Sequence, residues 1–224
     1  MPIRPRQYCV DLRSFISVRT SECGEEMVEL SSSRGGIVVD IEDTSRKAQG
    51  LGRGTCYVRK SVAERLGRIQ SSLERPFRLK IIDTFRPVSA QKEIWNQFFS
   101  QIKKDNPGIG DGKAGLETDR WVTNPYRITI PPHSTGGTLD LTIVDAKGNE
   151  LDMGSPVNSM SRKSITMARL SGEQRMNRDM LIGAMSAEGF ANYKGEWWHW
   201  SYGDWGWASA YGIKTARYGA ASQK

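Results

Sequence analysis

The chain of 224 residues contains two histidines, His133 and His199, and each lies within a few positions of a carboxylate. The first stands in PPHSTGGTLDLTI, with Asp140 seven positions on; the second ends GEWWH, with Glu196 three positions before it. Two imidazoles and a carboxylate suit a catalytic zinc ion, which takes three protein ligands and leaves a fourth position for water. Zinc lowers the pKa of such a water toward about 7. A second carboxylate beside it can take the water proton and hand it to a leaving amine. His133, Asp140 and His199 are therefore the candidate ligands, and Glu196 the candidate acid/base. Peptide hydrolysis also places negative charge on the carbonyl oxygen, which a fixed cation can stabilise. Arg86 is the candidate for that role, its alternative being a plain ion pair with Asp83.

These residues converge only if the chain bends at particular places. Leu139, Leu141 and Ile143 alternate with Asp140 and Thr142, which predicts a strand with Asp140 on the face opposite the leucines. Residues seven apart on one regular strand face opposite sides, so Gly136-Gly137 must supply the turn that brings His133 to Asp140. Three tryptophans within four positions read as strand, and a regular strand would aim Glu196 away from His199. Glu196 is therefore expected at an irregular entry to that strand. Asp83-Thr84-Phe85-Arg86-Pro87 follows a strand over Phe77, Leu79 and Ile81, which sets Arg86 in the loop beyond it.

Around these segments, Ser61 with Glu64 and the spacing of Val62, Leu66, Ile69 and Leu73 predict a capped helix over about 61–74. Ser89 is the candidate cap of a second helix carrying Ile94, Phe98 and Ile102. NPGIGDGKAG at 106–115 then reads as a long loop. DAKGNE at 145–150 predicts a hairpin turn, and Ser171 with Gln174 a capping box on a helix ending at Gly189. SSSRGG at 31–36 and RKAQGLGRGT at 46–55 read as loops around a short IVVDI strand. Strands and helices without a βαβ rhythm give an α+β fold: one domain, with a central antiparallel or mixed sheet flanked by helices. Residues 1–56 are expected to be an irregular N-terminal segment packed on the catalytic region 57–224.

Composition sets outer bounds. A hydrophobic content of 38% and a charged content of 25% are those of a soluble globular chain. No stretch approaches the roughly 18 apolar residues of a membrane span. The net charge of +7 is spread along the chain, without a recognition helix or stacking motif, so neither nucleic acid nor a membrane is expected as partner. Cys9, Cys23 and Cys56 have neither CxxC nor CxxH spacing and read as free thiols in a reducing compartment. MPIRPRQYCVDLRSFISV has no continuous apolar run or cleavage site, so a cytoplasmic location is expected, or a periplasmic or secreted one if a leader has been removed. The Trp-rich segment 197–208 is read as core rather than interface.

At PPHSTGGTLD and EWWH the chain resembles the D-Ala-D-Ala dipeptidases, the VanX-like branch of zinc D,D-peptidases in peptidase family M15. Further blocks in the same order are VDLR at 10–13, YVRKSVAERL at 57–66, DTFRP at 83–87, LDMG at 151–154 and WWHWSYGDWGWA at 197–208. The resemblance implies one zinc ion on His133, Asp140 and His199, with Glu196 as acid/base and Arg86 as transition-state stabiliser. The implied substrate is D-Ala-D-Ala or a related small D-amino-acid dipeptide, in peptidoglycan metabolism or glycopeptide resistance. A D,D-carboxypeptidase or endopeptidase on longer stems and a non-catalytic zinc-stabilised binding protein are the alternatives, and the oligomeric state stays open. The pattern is not matched everywhere. Pro131 stands where the family has Ser, Thr138 where it has Ala, and Ser14 where it has an aromatic. Asn158 replaces an Asp that faces the substrate amine. Asn158 and Ser134 are the candidate substrate contacts, Asn158 alternatively serving only the turn after Gly154-Ser155-Pro156.

Overall fold

A computed structural model describes residues 4–32, 36–41, 54–159 and 161–222. In chain order the strands are β1 (Gln7–Tyr8), β2 (Arg19–Thr20), β3 (Met27–Ser31), β4 (Val38–Val39), β5 (Thr55–Arg59), β6 (Arg78–Asp83), β7 (Thr138–Val144), β8 (Ala191–Tyr193), β9 (His199–Ser201) and β10 (Thr215–Ala216). The α-helices are α1 (Leu12–Ser17), α2 (Lys60–Ser72), α3 (Val88–Asp105), α4 (Asp111–Thr118), α5 (Gly172–Ala187) and α6 (Trp205–Tyr211).

Six strands form the main sheet in the order β1-β8-β9-β7-β6-β4. Its four inner strands are antiparallel neighbours, and the edge strands β1 and β4 pair in parallel with β8 and β6. This is the expected α+β architecture with a mixed sheet. Every residue of β7 is buried, as a strand at the sheet's middle must be. Leu139, Leu141 and Ile143 join one core cluster with Val62, Leu66 and Ile69 of α2 and Leu181, Ile182 and Met185 of α5. Truncating a leucine in such a core costs about 2–5 kcal/mol. The helices thus cover the leucine side of β7, and Asp140 projects to the other side, where the cleft lies. Trp197, Trp198, Trp200 and Trp205 are buried, so the aromatic tail is core.

Several local expectations are corrected. The segment 1–56 is not merely irregular, because β1 and β4 form both edges of the main sheet and β3 pairs antiparallel with β5. The loop reading of 46–55 falls largely on residues outside the described ones, as does part of 31–36. The Ser61–Glu64 capping box does not form: α2 starts one residue earlier, and the Ser61 N–H is taken by the Glu25 carboxylate at 2.7 Å. Ser89 lies inside α3, which starts after Pro87. The stretch 106–115 is not all loop, since α4 begins at Asp111 and buries Ala114 and Thr118. The Ser171–Gln174 capping box does form at the start of α5. The 145–150 turn closes a short hairpin, with Val144 bridged to Glu150. Cys9, Cys23 and Cys56 are free.

Candidate active site

His133 is presented by a 3-10 turn, Pro132–Thr135, whose approach is fixed by Pro131 and Pro132 and whose end is Gly136 in the left-handed region at φ 70°. The Arg59 backbone N–H donates to the Gly136 carbonyl at 2.9 Å and its Nε to Thr135 O at 2.8 Å, which secures the turn against β5. The chain then enters β7 and delivers Asp140 to the same point, so the Gly136-Gly137 bend does what the spacing requires. His199 opens β9 as the cross-strand partner of Asp140. Glu196 precedes a turn at 197–198, and the His199 N–H donates to the Glu196 carbonyl at 3.3 Å. That turn is the irregular entry needed to swing Glu196 toward His199.

The ligand-capable atoms of His133, Asp140 and His199 all lie within 4.8 Å of one another, and all three residues are buried. His133 Nε2 is 3.5 Å from Asp140 Oδ2, and His199 Nδ1 is 2.9 Å from Asp140 Oδ1. Tetrahedral zinc ligands with bonds near 2.0–2.1 Å stand about 3.3 Å apart, so these separations fit the ion with small adjustments. His133 Nδ1 donates to the Thr84 carbonyl at 2.8 Å, since a carbonyl can only accept. That bond fixes the tautomer and frees the Nε2 lone pair for a metal. Burial raises the Asp140 carboxyl pKa, but the two imidazoles outweigh it and hold the group well below the usual carboxylate range. Asp140 is therefore an anion ready to bind a cation.

Glu196 Oε2 lies 3.8 Å from His199 Nδ1, and its side chain keeps 37% of its surface open to the cleft. The surrounding protein raises its pKa, mainly by desolvation and further through Asp140, while His199, His133 and Arg86 oppose the rise. Arg86 reaches the same cleft with Nη2 3.3 Å from Asp83 Oδ2, and its backbone N–H donates to His133 O at 3.0 Å. The ion pair with Asp83 thus forms, and the guanidinium it anchors also lines the cleft. Arg86 Nε is buried with no hydrogen-bond partner among the described residues.

These groups line the floor of a cleft of about 730 Å³. One wall comes from α3 and residues 120–123, the other from 158–159, 161–162 and 164–165. Asn158 lines the second wall with φ 58°, a left-handed turn position that asparagine tolerates. Ser134 does not reach the cleft. It is buried and donates its hydroxyl to Pro131 O at 2.7 Å, because the 3-10 turn that presents His133 rotates the next side chain inward. Sequence reasoning missed Thr84, whose carbonyl orients His133, and Tyr193, which lines the cleft with its ring edge-on to His199 at 5.8 Å. A main-chain acceptor leaves no signature in residue type. Tyr193, three positions before Glu196, could have been suspected.

The family model described as peptidase M15, D-ala-D-ala dipeptidase, matches residues 43–215. A D-alanyl-D-alanine dipeptidase of Synechocystis is 27% identical, covering 89% of this chain and 91% of its own length. The D-alanyl-D-alanine dipeptidase of Escherichia coli strain K12 is 30% identical over 122 residues, 54% of this chain and 53% of that protein. The one from Enterococcus faecalis is 31% identical over 123 residues, 54% of this chain and 60% of that protein. Among solved structures, VanYB in complex with D-Alanine-D-Alanine aligns at a TM-score of 0.47 and 12% identity, covering 90% of this chain and 94% of that one.

Proposed function

Because the chain belongs to the D-Ala-D-Ala dipeptidase family of M15 peptidases, a family of zinc metallopeptidases, we propose that it hydrolyses D-Ala-D-Ala or a related small D,D-dipeptide, with Glu196 as acid/base. The observation that carries this reading is the convergence of His133, Asp140 and His199 with Glu196 on one open cleft floor. Zinc held there would polarise the scissile carbonyl and acidify the attacking water.

The remaining work falls to the chain's own side chains. Thr84 O keeps His133 in the tautomer that offers Nε2, and Asp140, held ionised, would balance part of the charge of a bound metal. Glu196 takes the proton of the attacking water on its open carboxylate face and passes it to the amine that leaves. Its carboxylate, 3.8 Å from His199 Nδ1, stands within reach of a water at the metal group, where a general base must stand. Arg86, anchored by Asp83, meets the negative charge that grows on the carbonyl oxygen. A metal that served only structure would have no use for a carboxylate placed like Glu196.

Dipeptides are favoured over longer stems by the segment 104–126. In support, Arg120, Trp121, Val122 and Thr123 of that segment line the cleft. Asn158 is the proposed substrate contact on the opposite wall. The test is to incubate the zinc-loaded protein with D,D-, L,D- and L,L-dipeptides and with an acylated D-Ala-D-Ala stem. Release of free amino acid from D,D-dipeptides alone is expected. Preferential cleavage of the longer stem would move the reading to a D,D-carboxypeptidase.

A further inference from the structure

Phe98, Trp121 and Ile165 are large apolar side chains that stay 38%, 43% and 49% exposed, and all three stand on the walls of the catalytic cleft. Exposed apolar groups gathered in a concavity mark ligand contacts more often than those scattered over a convex surface. Each is also held on a fixed support. Phe98 belongs to α3. The N–H groups of Trp121 and Val122 both donate to Thr118 O, at 2.9 and 3.0 Å, and Val122 packs with Ile94 and Trp95. Gln91 Nε2 closes that wall by donating to Thr123 O at 2.9 Å.

Across the cleft, Ile165 is held from behind by Arg178 of α5, which is 0% exposed. The Arg178 guanidinium donates to the carbonyls of Ile165 at 2.8 Å, Thr166 at 3.2 Å and Lys163 at 2.9 Å, and to that of Met153. A buried arginine devoted to four main-chain oxygens fixes the path of the wall before any ligand arrives. Apolar side chains held out on rigid backbone lose little further freedom on binding, which favours their use as contacts. D-Ala-D-Ala itself offers this surface only methyl groups.

We propose that Phe98, Trp121 and Ile165 form an apolar subsite, and that the preferred substrates are D,D-dipeptides carrying one large apolar side chain. The inference rests on the dipeptidase reading for its substrate class. In a hydrophobic pocket even one extra methylene discriminates by roughly 10–200-fold. The test compares D-Ala-D-Ala, D-Leu-D-Ala and D-Ala-D-Leu in two ways: kcat/KM with the zinc enzyme, and Kd by calorimetry with zinc-loaded Glu196→Gln. One leucyl dipeptide is expected to exceed D-Ala-D-Ala by about tenfold or more in both, and which one it is assigns the subsite to one side of the scissile bond. Trp121→Ala and Ile165→Ser, both at exposed positions, should bring that ratio close to one. Equal or weaker binding of both leucyl peptides, or a ratio that neither substitution moves, would overturn the proposal. If none of the dipeptides is cleaved, the dipeptidase reading fails, while the calorimetric ratio still decides the subsite.

Discussion

Asp140 and His199 face each other in register across β7 and β9, with Oδ1 and Nδ1 2.9 Å apart. Asp83 of β6 is the partner of Asp140 on the other side, so one row across three adjacent strands reads Asp83, Asp140, His199. Cross-strand partners project to the same face of a sheet, and that face is the cleft floor. Two of the three candidate ligands therefore come from the sheet's most buried strands, and His133 comes from a turn. Binding at this site and folding of the sheet are consequently linked.

Zinc is expected at about one ion per chain, and His133→Ala, Asp140→Ala and His199→Ala should each abolish it, because two ligands hold the ion weakly. Elemental analysis of the purified variants checks this, and full retention in any one of them removes that residue from the ligand set. Chelation should also lower the melting temperature. An ion at roughly 1,000 times its Kd stabilises by about 4 kcal/mol, which for a chain of this size is on the order of 10 °C. Restoring zinc should restore the midpoint.

Glu196→Ala should keep the zinc and the fold and lose at least about 100-fold in kcat, the lower range for a general acid/base. The residue sits in a turn with part of its surface open, so its removal leaves no large cavity. Metal content, circular dichroism and turnover on one preparation separate loss of the base from loss of the site.

Arg86→Ala should likewise keep the metal while lowering kcat more than it raises KM, since the charge it meets develops mainly in the transition state. It also leaves the buried Asp83 without its cation, so a fall in melting temperature of a few degrees is expected beside the kinetic loss. A change confined to KM would reassign Arg86 to binding the substrate carboxylate.

Gly137→Ala is expected to damage the metal site from a distance. A Cβ there would stand 2.2 Å from the Tyr202 carbonyl and 2.8 Å from the Tyr218 ring, and a main-chain oxygen cannot step aside. The entry to β7 would have to shift, loosening the Thr138–Ser201 and Asp140–His199 pairings. A stability loss of about 1–3 kcal/mol is expected, with zinc affinity weakened by about tenfold in a competition titration. Gly67→Ala on α2, where a Cβ meets nothing within 4 Å, is the control and should be neutral or slightly stabilising.

What the sequence revealed of this molecule, and what it hid, divides by range. The α5 capping box, the alternation of β7 and the turn at Glu196 are written within a few neighbouring residues, and there local reading and structure agree. The cap of α2 comes instead from Glu25, 36 positions away, so the nearby Ser61 and Glu64 misled. β1 and β4 are two residues each, too short for any alternation to register, and exist because the sheet offers them an edge. The glycines of 106–115 argue for loop, yet burial of Ala114 and Thr118 carries the helix α4. In the site, residue type pointed to the metal group, since two histidines leave few choices. Ser134 misled because its hydroxyl had a closer acceptor in its own turn.

The last prediction turns on a single charge. Asn158 lines the cleft wall at φ 58°, and aspartate tolerates that left-handed conformation about as well as asparagine. Asn158→Asp should therefore preserve the turn and add an anion to a wall whose charged member is Arg162. A free dipeptide carries an ammonium group, and a charge-assisted hydrogen bond is roughly twice as strong as a neutral one. If the ammonium lies against this wall, KM for D-Ala-D-Ala should fall about fivefold, the effect of roughly 1 kcal/mol. The kcat value should hardly change, because the amine is remote from the developing oxyanion. N-acetyl-D-Ala-D-Ala has no ammonium and should show no gain, which separates a specific contact from a general change in the cleft. Both kinetic constants for both substrates, measured on the unmodified enzyme and on Asn158→Asp, supply the comparison. An unchanged KM for both would leave Asn158 with the turn alone and place the substrate amine elsewhere in the cleft.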